Sequence, residues 1–106
     1  MTNDAKRLLY KMYSEYKSRR KAGVSREDAQ LFGSYEKVSI LLPEDLPDDV
    51  DDYLRELDRS GYVDVFYADN RASETRLTTD AIEHIEQLPA NCLKSVLDFV
   101  AKFIPW

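Results

Sequence analysis

The chain has 106 residues, 43% of them hydrophobic, with only three Gly and four Pro. That suffices for one core and one domain over residues 1–106, and it excludes global disorder and long linkers. A formal net charge of −5 argues against nonspecific binding to a polyanion, and no apolar run approaches the length of a membrane span.

Residues 1–38 hold nine bases and five acids, whereas the remainder holds six bases and fifteen acids. Such asymmetry fits a nucleic-acid surface at one end or head-to-tail pairing within or between chains. The amino terminus, MTNDAKRLLYKMY, lacks the uninterrupted apolar core of a signal peptide. The lone Cys92 allows no internal disulfide, so a cytoplasmic location is expected.

Helical spacing of Ala5, Leu8, Leu9, Met12, Tyr13 and Tyr16 predicts a first helix over about 4–21. Its last turn carries Arg19, Arg20 and Lys21, where cations complement the helix dipole; a phosphate-binding patch is the alternative. Ser25 with Asp28 resembles a capping box and starts a helix over about 25–32, which Gly33 stops. Residues 34–42 suit a helix through Tyr35, Val38, Leu41 and Leu42, or a short strand through Val38 and Ile40. Ser34 and Glu36, placed as at a helix start, favour the helix.

Pro47 fits the first position of a helix over about 47–60, with Val50, Tyr53, Leu54 and Leu57 on one face. Gly61 is a left-handed stop with Tyr62 as its hydrophobic contact. A hairpin over about 62–78 follows: YVDVFY alternates, ADNRAS is turn chemistry, and ETRLT returns with Leu77 inward. Thr78 or Thr79 caps a helix over about 79–88, with Ala81, Ile82, Ile85 and Leu88 as its stripe. Asn91 caps a last helix over about 91–104, where Phe99, Phe103 and Trp106 widen the apolar surface and suggest a dimer or partner face.

The fold class expected from this order is mainly α with a small β-hairpin, an α+β arrangement. LRELDRSGYV (54–63), DVFYAD (64–69) and LTTDAIEHIE (77–86) resemble the winged helix-turn-helix superfamily. Among its members, the chain is most similar to the small YjcQ-like proteins of Gram-positive bacteria and prophages. The resemblance covers roughly residues 44–106 and implies a winged helix with an added C-terminal helix. Ala81 stands where many winged helices have Gly.

The larger departure is the helix in the recognition position. It carries Asp48, Asp49, Asp51, Asp52, Glu56 and Asp58 against Arg55 and Arg59. Carboxylates in a first turn are favoured by about 0.3–1 kcal/mol each, and Asp51 with Arg55 makes an i, i+4 pair. Against a phosphate about 10 Å away, each carboxylate costs roughly 0.4 kcal/mol in water and about 1.7 at an effective dielectric of 20. DNA-reading helices instead expose donors such as Arg, Lys, Asn and Gln.

The expected function is therefore a non-enzymatic protein–protein contact, self-association in particular, with Asp48, Asp49, Asp51, Asp52 and Glu56 as an acidic partner face. The alternative is a DNA-binding regulator of a bacterial or prophage operon, touching DNA through Arg19, Arg20, Arg26, Arg71 and Arg76. No cofactor, metal or small-molecule substrate is expected. His84 and Cys92 are too few for a zinc set, and DLPDDVDDYLRE lacks the central Gly of a calcium loop. Asp98 and the acidic body oppose use of the C-terminal segment on anionic lipid.

Overall fold

The structure, a computed structural model, describes residues 1–89 and 91–92. Helix α1 spans Asn3–Lys21, α2 Arg26–Ala29, α3 Tyr35–Val38 and α4 Pro47–Arg59. Strands β1 (Val63–Ala68) and β2 (Arg71–Leu77) form an antiparallel hairpin, and α5 spans Thr79–Glu86. The chain is mostly helical with one small hairpin, as its periodicity predicts. The expected helix over 91–104, with Phe99, Phe103 and Trp106, lies outside the described residues apart from Asn91 and Cys92.

Local chemistry explains the boundaries. Thr2 caps α1 by accepting from the Ala5 N–H, and Ser25 and Ser34 do the same for α2 and α3. Thr78, rather than Thr79, caps α5 through the Ala81 N–H, and its own hydroxyl donates to the Gly61 carbonyl. Gly61 closes α4 at φ +81, with Tyr62 N donating to Leu57 O and Gly61 N to Asp58 O.

Three expectations need correction. The helix expected over 25–32 ends at Ala29, because residues 30–32 extend along β2 instead. Phe32 N donates to Thr75 O, Leu77 N donates to Gln30 O, and Leu31 bridges Arg76. The segment expected as a single helix over 34–42 is one α-turn, α3, followed by a 3₁₀ turn at Ser39–Leu41. The turn expected over ADNRAS narrows to Asp69 and Asn70, both at positive φ, which join the strands in a two-residue connection. Arg71, Ala72 and Ser73 belong to β2, and the register slips beside Phe66–Glu74, leaving Ser73 without a partner.

One core joins these elements. Leu8, Leu9 and Met12 of α1 meet Val50, Leu54 and Leu57 of α4, Val63 and Leu77 of the hairpin, and Ile85 of α5, all fully enclosed. Lys11 and Ser14 are also buried on α1, outside the stripe that spacing alone selects. Among the described residues, no helix is long and apolar enough to cross a membrane.

Candidate functional site

The acidic helix does not present a uniform wall of carboxylates. Asp51 is buried, only 4% exposed, on the side of α4 that meets the hairpin. Its Oδ1 accepts from the Ala72 N–H at 2.8 Å, and its Oδ2 takes Arg55 Nε at 3.0 Å. Arg71 Nη1 lies 3.8 Å from the same oxygen and 3.2 Å from Asp48 Oδ1. One carboxylate thus ties α4 to β2 through the buried Ala72 amide and the Arg71 guanidinium, with Arg55 of α4 on the same carboxylate.

The other acids divide in the same way. Glu56 accepts from both the backbone N–H and the hydroxyl of Thr2, fastening the start of α1 to α4. Asp58 accepts from the Tyr67 hydroxyl at 2.8 Å, and burial with this hydrogen bond pushes Tyr67 up to about 12. Asp48, Asp49 and Asp52 remain exposed. Of the five residues expected as one partner face, Asp51 turns inward, and Glu56 and Asp48 are engaged by the chain itself, Asp48 by Arg71 from its exposed position.

The arginines proposed for nucleic acid are mostly engaged as well. Arg71 lies over the Tyr35 ring besides its two carboxylates. Arg55 lies over Tyr67 and donates to the Asn70 carbonyl, so the tip of the hairpin is held onto α4. Arg76 pairs with Asp64 across the hairpin at 2.8 Å. Arg19 bonds Glu15 and the carbonyls of Ala29 and Leu31, and its guanidinium covers the Phe32 ring at 4.5 Å. Arg20 donates to the Val24 carbonyl, as a cation at a helix C-terminus does. Arg26 is exposed at the start of α2. An open cleft beside it is lined by Lys17, Arg20, Lys21, Gly23, Val24 and Ser25.

A second polar cluster fixes the approach to α4. Arg7 grips Asp45 with two bonds, Nη1–Oδ1 at 3.1 Å and Nη2–Oδ2 at 2.7 Å, and Tyr53 donates to Asp45 Oδ2 at 2.9 Å. The Arg7 guanidinium holds the Asp45 carboxyl below the usual carboxylate range, while burial and then the Asp45 contact push Tyr53 up to about 12.

A lowered carboxyl contributes stability that is complete above its unfolded value and is lost as pH falls through the folded one. A raised phenol contributes stability that is complete below its unfolded value, about 10, and is lost as pH rises toward the folded one. We expect urea midpoints to fall below about pH 4, and Arg7→Ala to flatten the Asp45 part of that slope. At neutral pH, Arg7→Ala should cost about 1–2 kcal/mol.

Apolar side chains also reach the surface. Ile40 and Leu46 flank the segment before α4, and Leu31, Phe66 and Tyr67 lie on the small sheet. The alternation of YVDVFY puts Val63, Val65 and Tyr67 on one side and Tyr62, Asp64 and Phe66 on the other; Val63 is enclosed and Phe66 is 68% exposed. Among the described residues, no group of three or more His, Cys, Asp or Glu is placed to hold a metal ion. In comparisons with known proteins, the chain matches no family model, no curated protein and no solved structure.

Proposed function

We propose that the chain is a non-enzymatic, cytoplasmic winged-helix domain that works through protein–protein contacts, self-association first among them. The winged-helix part draws on α4 packed against the hairpin, with α5 directly after it. The Leu31 bridge, which lays residues 30–32 along the outer edge of β2, supports the same reading.

The observation that carries the protein-contact part is the pattern of charge around the hairpin. Arg55 of α4 and the hairpin arginines Arg71 and Arg76, which would be offered to phosphates, are bound to Asp51, Asp48 and Asp64. Freeing them for DNA would break those pairs and leave Asp51 buried without its cations. Exposed Asp48, Asp49 and Asp52 would then face the duplex. Exposed Phe66, Ile40 and Leu46 suit a protein surface better.

A second reading, DNA binding through the basic first helix, is favoured by the cleft of Lys17, Arg20 and Lys21 with Arg26 beside it. Sedimentation velocity, run on the protein alone and with pooled duplex fragments at low salt, separates the two. Self-association predicts a concentration-dependent dimer and duplex that sediments unchanged. A monomer at high micromolar concentration overturns it, and duplex binding that weakens steeply with salt selects the second reading.

A further inference from the structure

Among the described residues, strand β1 has one partnered edge and one open edge. Thr75 O and Leu77 N on β2 bond outward, to Phe32 and Gln30. Alternation along an antiparallel ladder therefore turns Arg76 and Glu74 toward β1, where they face Asp64 and Phe66. The N–H and C=O groups of Val65 and Tyr67 consequently point away from β2. No hydrogen-bond partner is found for them among the described residues.

Val63 is fully enclosed, so the accessible part of this edge is residues 65–68. Phe66 is 68% exposed and Tyr67 37%. The strand, VDVFYA, carries no Lys or Pro to blunt it. Such an edge is a template for one more strand.

We propose that β1 pairs antiparallel with β1 of a second copy, about a two-fold axis at Phe66. This rests on the self-association reading above and gives it a surface. The side-chain register favours a second copy. With Phe66 opposite its own copy, Val65 falls opposite Tyr67 and Asp64 opposite Ala68, so no like charges meet. Val65 and Tyr67 then exchange the backbone hydrogen bonds that each copy leaves open. The two Phe66 rings sit at the closer, non-hydrogen-bonded position. The contact is isologous and closes at two chains. A register placing Asp64 against Asp64 is opposed by charge. Because each chain carries −5, added salt should strengthen the pairing, opposite to its effect on phosphate binding.

The test joins sedimentation to cross-linking. Phe66→Lys puts two cations against each other in the dimer while facing Glu74 within its own hairpin. It should weaken dimerisation by about tenfold or more and leave the circular dichroism spectrum unchanged. In a Cys92→Ser background, Phe66→Cys should form an intermolecular disulfide under mild oxidation, since facing Cα atoms there lie within bridging reach. Glu74→Cys, on the partnered strand, should not. A dimer that survives Phe66→Lys and does not cross-link through residue 66 overturns edge pairing but leaves self-association standing. A wild-type monomer at high micromolar concentration overturns both.

Discussion

Asp51→Ala should destabilise the protein by about 2–4 kcal/mol, measured by urea denaturation at neutral pH. The substitution removes one side chain from a helix crowded with carboxylates, so composition alone would make it trivial. The geometry makes it costly. Asp51 Oδ1 is the acceptor for the Ala72 N–H, and Ala72 is only 1% exposed, so water does not readily replace the lost bond. Arg55 and Arg71 lose their shared carboxylate at the same moment. Both arginines reach solvent, so most of the cost lies in the stranded amide rather than in the ion pairs. Asp51→Asn keeps an oxygen for Ala72 and should cost less than Asp51→Ala. Asp52→Ala, on the exposed side, should stay within about 0.5 kcal/mol of wild type.

Leu54→Ala should cost about 2–5 kcal/mol in the same assay. Leu54 is wholly enclosed, in the core that joins α4 to α1 and the hairpin. Removing three side-chain carbons there, a methine and its two methyls, leaves a void that helices on one side and a strand pair on the other cannot easily close. The comparison with Asp51→Ala is informative because the two side chains lie one helical turn apart. Loss of Leu54 should weaken the whole core. Loss of Asp51 should loosen the hairpin first, since its bonds run to β2 and the arginines that clasp it.

What the sequence revealed, and what it hid, follows from the range of each interaction. The stripe of α1, Pro47 at the start of α4 and the Gly61 stop are written within a few residues, and each could be read directly; the cap of α5 could be narrowed to Thr78 or Thr79, and the structure selects Thr78. Asp69 and Asn70 mark the turn for the same reason, since both take backbone angles that few residues accept. The Leu31 bridge was illegible because its partner, Arg76, is forty-five positions away, and only the folded hairpin supplies the acceptor that draws residues 30–32 out of the helix. Asp51 carried a partial signal: three residues before Leu54, it borders the apolar stripe, whereas Asp52 falls on the far side. Its i, i+4 pairing with Arg55 was readable; its bond to Ala72 required knowing where the hairpin docks. Arg19 was visible as a helix-end cation, but its grip on Ala29, Leu31 and Phe32 depends on the turn after α2.

These contacts give the acidic helix an internal task. Its buried carboxylate holds the hairpin, and the arginines beside it are used in the same clasp. Hydrogen exchange at the Ala72 amide tests that claim most directly. In the wild type this amide should exchange as slowly as the core amides of α1. In Asp51→Ala it should exchange much faster, while α1 keeps its protection relative to the lowered global stability. A wild-type Ala72 amide that exchanges at the rate of an open loop would contradict the account, as would one whose protection is untouched by the loss of Asp51.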